Sequence, residues 1–103
     1  MPKLKKIETS DDLILILFYD NGEIRSLDFK EEDLSGGMAP LKNKNFFHKA
    51  YLSDYGMVEF PGDIQLDPIG LYTDSVVGDL RKKQTASYVT KKVIAALKKI
   101  ISK

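Results

Sequence analysis

Residues 13–29 read LILILFYDNGEIRSLDF, and this stretch decides the fold. Its first seven residues are apolar at odd and even positions alike. That pattern is typical of a β-strand that is covered on both faces, because successive side chains of a strand point to opposite sides of the sheet. The sequence therefore predicts a buried strand near the start of the chain, with other elements packed against both of its faces.

A β-hairpin is predicted immediately after this strand. The pair Asn21-Gly22 separates two β-type runs, and both residues tolerate the positive φ that a type I′ turn requires. In the returning strand, residues 24–29, the side chains alternate in character. Arg25, Leu27 and Phe29 fall on one face, and we expect Ser26 and Asp28 on the other, solvated face, although Ile24 breaks the alternation.

Shorter elements are predicted around the hairpin from local signals. An opening strand is expected over residues 3–9, and further short strands over 51–52, 57–60 and 64–66. A short helix is expected to begin near Asn43 or Asn45, and a single helical turn after Asp67-Pro68, where proline occupies the favoured first position. Residues 73–78 are expected to form a connector.

The longest helical pattern lies at the C-terminus. Between residues 86 and 102 the apolar side chains recur on one arc of a helix, and the lysines fall on the opposite arc. The members of the apolar arc are Ala86, Val89, Val93, Ala96, Leu97, Ile100 and Ile101. The fold class predicted is α+β, with a small, mostly antiparallel sheet, a central hairpin, short helices and a long C-terminal amphipathic helix. Residues 1–80 form the compact domain, and residues 81–103 pack on it or on a second copy.

Charge is divided unequally along the chain. Residues 81–103 contain eight basic residues and no acidic one, whereas residues 1–80 contain eight basic and 15 acidic residues. The basic residues considered as a partner or nucleic-acid surface are Arg81, Lys82, Lys83, Lys91, Lys92, Lys98 and Lys99. Asymmetry of this kind indicates an interaction with a partner.

The composition excludes several classes of site. The chain has no cysteine, which excludes disulfides, thiolate metal sites and cysteine nucleophiles. Its longest apolar run, of seven residues, is too short to span a bilayer, and the N-terminus shows no secretory signal. We therefore predict a cytoplasmic protein without a membrane span.

Candidate chemistry is sparse. His48 is the single histidine, and its sequence neighbours offer no orienting partner of the kind that a general base needs. The carboxylates of residues 31–33 and the pair Asp63 and Asp67 lack the spacing of a calcium loop, so we interpret them as solvated turns. The sequence predicts no enzyme activity, no metal site and no cofactor.

The order of the motifs resembles a known family. The hairpin at residues 18–25, the spacing from Leu41 to Phe47 and the closing segment at residues 58–72 are similar to the small bacterial family of unknown function numbered 2442. The resemblance covers about residues 3–73 and leaves the basic tail out. It implies a compact α+β fold from bacteria or their phages, sometimes encoded beside toxin–antitoxin-like partners, with no established activity. The family's closing loop corresponds here to Phe60, Pro61, Asp63, Leu66 and Asp67, and Phe60 stands where the family usually has tryptophan.

Three explanations of the basic helix stay open at this point. Its apolar arc packs on the sheet of its own chain or of a second copy, or its lysines bind nucleic acid phosphates, or the helix lies on a membrane surface. The leading hypothesis is a protein-interaction or regulatory module, antitoxin-like in type and homodimeric. The alternative is a nucleic-acid-binding regulator that uses the basic C-terminal helix.

Overall fold

A computed structural model of the protein describes residues 1–81, except for the side chain of Glu31. The described chain is an α+β fold with two antiparallel sheets and a few short helices, as the sequence predicts. Of residues 81–103, for which the long C-terminal helix is predicted, only Arg81 lies within the described residues, so this helix stays a prediction.

The larger sheet has four antiparallel strands, three long and one short. Its three long strands follow each other along the chain, so each pairs with its sequence neighbour: β1 is Leu4–Thr9, β2 is Ile14–Tyr19 and β3 is Ile24–Asp28. The fourth strand, β7, is Val76–Val77, and it pairs antiparallel with β3. This short strand falls in the segment that was expected to be a connector.

The smaller sheet contains the three short strands that the sequence predicts. They are β4 (Tyr51–Leu52), β5 (Val58–Phe60) and β6 (Ile64–Leu66), and each pairs antiparallel with the next. Short helices connect the sheets: two 3₁₀ helices at Glu31–Asp33 and Gly36–Lys42, then α1 at Lys44–Phe47 and α2 at Pro68–Asp74.

Both α-helices begin where the local sequence predicts. The Asn43 side chain accepts a hydrogen bond from the backbone N–H of Phe46, and the Asp67 carboxylate accepts from the N–H groups of Ile69 and Gly70. Such caps satisfy backbone donors that have no partner inside the helix, which favours these two start points.

The hydrophobic core lies between the two sheets. From β2 and the residue before it, Leu13, Leu15, Leu17 and Tyr19 enter this core. They meet a second set of buried side chains from the helices and the smaller sheet: Leu34, Leu41, Phe47, Val58, Phe60, Leu66 and Leu71. The ring of Phe60 contacts two other aromatic rings: it is stacked with the partly buried Phe46 and tilted against the buried Phe47.

The hairpin turn differs from the predicted type I′ geometry. In the described part of the chain Gly22 has a positive φ of 90°, but Asn21 is not among the residues with positive φ. The N–H of Gly22 donates to the carbonyl of Tyr19, and the N–H of Tyr19 donates to the carbonyl of Glu23. This pattern is a type I turn followed by a glycine bulge, which adds one residue to the loop. Asn21 contributes its side chain instead, which accepts from the N–H of Glu23.

One expectation about β3 is wrong. Ser26 was assigned to a solvated face, but its side chain is only 1% exposed. The reason is that the chain after β7 returns over this face of the sheet, where Gly78 and Leu80 bind the Ser26 hydroxyl. Asp28, two residues further along the same face, is exposed as expected.

Candidate functional site

The first candidate site is the segment in which the chain leaves the larger sheet after β7. We call residues 78–81 the exit segment. The Ser26 hydroxyl donates to the carbonyl of Gly78 at 2.6 Å and accepts from the N–H of Leu80 at 3.0 Å. In addition, the N–H of Gly78 donates to the carbonyl of Ile24 at 2.7 Å. The exit segment is therefore fixed to β3 by three hydrogen bonds immediately before the basic C-terminal residues.

Arg81 extends this attachment to the opposite edge of the sheet. Its guanidinium donates to Asp79 Oδ2 at 2.7 Å and to Glu8 Oε1 on β1 at 2.9 Å. Hydrogen bonding to Asp79, and then to Glu8, raises the pKa of Arg81 further above its usual value. Lys6 and then Arg81 lower the pKa of Glu8. Arg81, one of the residues considered for a partner surface, thus directs its Nε and Nη2 donors to carboxylates of its own chain.

An exposed apolar strip lies beside the exit segment. Ile24 is 38% exposed and Val76 is 48% exposed. Phe18, which is partly buried and has the Lys6 ammonium 4.8 Å from the centre of its ring, is directly paired with Ile24 across the sheet. Val76 is paired with Ser26, so the three apolar side chains share one face. We call Phe18, Ile24 and Val76 the exposed strip.

His48 has partners that its sequence neighbours did not indicate. Its Nδ1 lies 2.6 Å from the Thr9 hydroxyl, and its Nε2 lies 2.6 Å from Asp11 Oδ1. The hydrogen bond with His48 holds the pKa of the Asp11 carboxyl below its usual range. These contacts join the end of α1 to the turn between β1 and β2.

The order hydroxyl, imidazole, carboxylate is the order of a hydrolase triad, but the surroundings do not support acyl transfer. Such chemistry requires backbone N–H groups aimed at the developing oxyanion. Three N–H groups of the neighbouring turn are already occupied: those of Asp12 and Ile14 donate to the Ser10 hydroxyl, and that of Leu13 donates to the Ser10 carbonyl. The arrangement therefore fixes the turn to α1, and these three N–H groups of the described chain are engaged within the turn itself.

A second polar network joins the hairpin to α2. Arg25 donates to the hydroxyl and to the carbonyl of Ser75, both at 2.8 Å, and its guanidinium lies 4.4 Å from the centre of the Tyr72 ring. The Tyr72 hydroxyl donates to Glu23 at 2.6 Å. The Tyr72 ring also makes an edge contact with Tyr19. The charged residues of the hairpin motif are therefore engaged in holding the fold together.

Some residues of the closing loop have structural roles, and the others are exposed. Phe60 and Leu66 are buried core residues, and Asp67 caps α2. Pro61 and Asp63 are exposed at the turn between β5 and β6, where Asp63 adopts a positive φ of 63°. Phe60 fills the core between Phe46 and Phe47, so its role here is packing.

Several clefts open on the described surface, and two of them lie beside residues discussed above. One, of about 520 Å³, lies beside Asp11 and mixes carboxylates with lysines, including Asp28, Lys30 and Lys44. The other, of about 210 Å³, lies between the N-terminus, Tyr19 and Leu71, with Tyr55 at its edge. The described residues contain no group of three or more side chains that could hold a metal ion.

Comparison with known proteins adds no family to this description. No family model, no curated protein and no solved structure matches the chain. The similarity to the bacterial family numbered 2442 therefore stays a prediction. Among the described residues no helix is long and apolar enough to cross a membrane. The residues from Lys82 to Lys99 that were considered for a partner surface lie outside the described part of the chain.

We expect Ser26→Ala to destabilise the protein by about 1–3 kcal/mol, because it leaves the partly buried carbonyl of Gly78 and the N–H of Leu80 without their partner, the hydroxyl of the buried Ser26. Urea unfolding followed by circular dichroism measures the difference. The matched control is Ser35→Ala, since Ser35 is exposed and its side chain makes no capping hydrogen bond. An effect of the same size in both variants would contradict the role assigned to Ser26.

The network at Glu23 predicts a pH dependence. Hydrogen bonds, first from Tyr72 and then from Asn21, lower the pKa of the Glu23 carboxyl below 4.5. The ionised Glu23 carboxylate therefore stabilises the folded state above pH 4.5, and this contribution is lost as the pH falls through the lower pKa that Glu23 has in the folded state. At pH 7 we expect Glu23→Gln to have a lower free energy of unfolding than the native chain. Below pH 4.5 the difference in free energy between the two proteins should shrink. Urea unfolding at pH 7 and at a pH below 4.5 measures both values.

The same experiment in a Tyr72→Phe background provides the control. Because the hydrogen bond from the Tyr72 hydroxyl is the main cause of the lowered pKa, Glu23→Gln should have a smaller effect there and a weaker dependence on pH. If the pH dependence is unchanged without the Tyr72 hydroxyl, another group lowers the pKa of Glu23.

Proposed function

We infer that the protein is a protein-interaction module that associates with a second copy of itself, and that it serves a regulatory, antitoxin-like role as a homodimer in the cytoplasm. The observation that carries this proposal is the exposed strip of Phe18, Ile24 and Val76 beside the exit segment. A contiguous apolar surface next to polar groups is typical of a protein–protein contact. The strip lies on a regular sheet, so a partner meets it without ordering a loop.

The distribution of charge supports association between copies. Residues 1–81 carry nine basic and 15 acidic residues, a net charge of −6, whereas residues 82–103 carry seven lysines and no acidic residue. Each copy thus carries a negatively charged part, residues 1–81, and a positively charged part, residues 82–103. The positive part of one copy is complementary in charge to the negative part of another. Such attraction guides orientation and weakens with salt.

The contacts of Arg81 argue against sequence-specific binding to nucleic acid, the alternative function. Arginine reads guanine through a planar fork with two free donors, and Arg81 directs that fork to Asp79 and Glu8. The remaining cations of the tail are lysines, which favour contacts with phosphates that carry no sequence information. Binding of this kind would depend strongly on salt.

We expect the full chain to be a dimer at tens of micromolar and Val76→Asp to be a monomer, because an aspartate in the strip places a charge inside the contact. Light scattering coupled to size-exclusion chromatography measures the mass. The matched control is Ile69→Asp on α2, where the native side chain is also apolar and 62% exposed but lies away from the strip. This control should remain dimeric.

A strictly monomeric full chain would overturn the proposal, as would a dimer that Val76→Asp leaves intact. The nucleic-acid alternative is tested by retention of the full chain on duplex DNA at low salt, compared with a chain that ends at Arg81. Loss of retention in the shorter chain, together with a monomeric full chain, would favour the alternative.

A further inference from the structure

The cleft of about 210 Å³ beside Tyr19 is the basis of this inference, and we call it the Tyr19 cleft. It lies between the start of β1, the turn before β5 and the start of α2. Tyr19 and Leu71 are its buried members, and Lys3 and Tyr55 are exposed. Half-buried apolar residues line the cleft between them: Pro2, Leu4 and Pro68. The cleft shares no lining residue with the exposed strip, so it is a separate surface.

Tyr19 brings to this cleft a polar group that the described chain leaves without a partner. The residue is only 4% exposed, and its ring contacts the edge of Tyr72. Its hydroxyl forms no hydrogen bond with any described residue. Every fully enclosed side-chain nitrogen or oxygen of the described chain does have a partner, so the Tyr19 hydroxyl is not enclosed. It therefore reaches an open surface, and the cleft that Tyr19 lines is such a surface.

The chemistry of this hydroxyl favours a ligand that accepts a hydrogen bond. Burial raises the pKa of Tyr19 above its usual value, so the hydroxyl keeps its proton and can donate. The hydroxyl of a buried tyrosine usually has a hydrogen-bond partner, because leaving it unpaired costs free energy. In the Tyr19 cleft an acceptor of a bound molecule would supply that partner.

Lys3 carries the one charged side chain among the described residues that line the cleft. Its backbone is fixed, because its N–H donates to Asp20 Oδ1 at 3.0 Å and its carbonyl accepts from the N–H of Asp20 at 2.8 Å. Its ammonium forms no ion pair with a described residue. A lysine ammonium stands on a flexible four-carbon stem, so Lys3 can turn towards a negative group in the cleft.

Tyr55 adds an aromatic surface at the rim. It is 91% exposed, although the turn that carries it is well ordered by hydrogen bonds. The Ser53 hydroxyl accepts from the N–H groups of Tyr55 and Met57, and the N–H of Ser53 donates to the carbonyl of Met57. A large ring held in water on such a turn gains by packing against an apolar ligand.

We propose that the Tyr19 cleft binds a small carboxylic acid with an apolar body. Its carboxylate accepts the hydrogen bond of the Tyr19 hydroxyl and attracts the Lys3 ammonium, so one group satisfies both. Its apolar body packs against Leu71 and the half-buried wall, with the Tyr55 ring at the edge. Pockets for drug-sized ligands measure about 300–1,000 Å³, so this smaller cleft fits a short chain or a single ring.

A titration with octanoate tests the proposal on the full chain, followed by the amide resonances of Tyr55 and Gly56. We expect saturable shifts with a dissociation constant of about 1 mM or tighter, as a ligand of this size allows. The matched probe is octylamine, which has the same chain length and the opposite charge. It should bind at least about fivefold more weakly, because it meets the Lys3 ammonium with a like charge.

Two pairs of variants locate the binding. Tyr19→Phe should weaken octanoate binding about two- to tenfold, since one hydrogen bond is lost. Its matched control, Tyr72→Phe, removes a hydroxyl that lies outside the cleft and should leave binding unchanged. Lys3→Gln should weaken binding about two- to fivefold, as expected for one exposed charge pair. Its control is Lys5→Gln, an exposed lysine of β1 that does not line the cleft.

Urea unfolding of the two tyrosine variants gives a readout without ligand. Tyr19→Phe should keep the native midpoint, because its hydroxyl has no partner in the described chain, whereas Tyr72→Phe should lower the midpoint by removing the bond to Glu23. A midpoint that falls equally in both variants would overturn the proposal.

The binding data have equally definite meanings. The proposal would be overturned by an absence of saturable shifts up to about 10 mM octanoate, by equal affinity for octylamine, or by binding that Tyr19→Phe leaves unchanged. None of these results would affect the proposed homodimer, which rests on the exposed strip.

Discussion

Strand β2 is apolar on both faces, and this constraint shapes the rest of the described fold. A strand of this kind is stable only when both sides of its sheet are removed from water, which the hydrophobic effect favours at about 25 cal/mol per Å² of apolar surface. One side is covered by the helices and the smaller sheet through Phe47, Val58 and Phe60. The other side receives the exit segment, which binds Ser26 and Glu8 on either side of Ile16.

The polar residues of the described chain mostly serve this arrangement. Glu23 and Arg25 connect the hairpin to α2 through Tyr72 and Ser75, and His48 connects α1 to the turn before β2. In the described residues every buried side-chain nitrogen or oxygen has a hydrogen-bond partner. The polar side chains buried in the described part of the chain therefore contribute to the fold through these hydrogen bonds.

Local signals in the sequence were sufficient for much of the fold. The buried strand and the returning strand follow from alternation and from glycine at a turn, and both α-helices begin at a side chain that caps them. In these cases the residues that determine the structure are within a few positions of each other, so a reading of one segment at a time finds them.

The features that the sequence did not reveal depend on distant residues. Ser26 is buried by a segment 52 and 54 positions away, and His48 meets Asp11 across 37 positions. The turn at Asn21 took a different form because a glycine bulge satisfies the hairpin with one positive φ instead of two. The exposed strip was missed for a related reason: its members come from three strands, and β7 was not predicted.

Hydrogen exchange of the backbone amides in β2 tests the central claim most directly. If the strand is held from both faces, the amides of Ile14–Tyr19 should exchange only through global unfolding, with the free energy that urea unfolding gives for the whole chain. Exchange of these amides at a clearly lower free energy, together with those of the surface turns, would show that β2 opens by itself and that its two-sided cover does not hold the fold together.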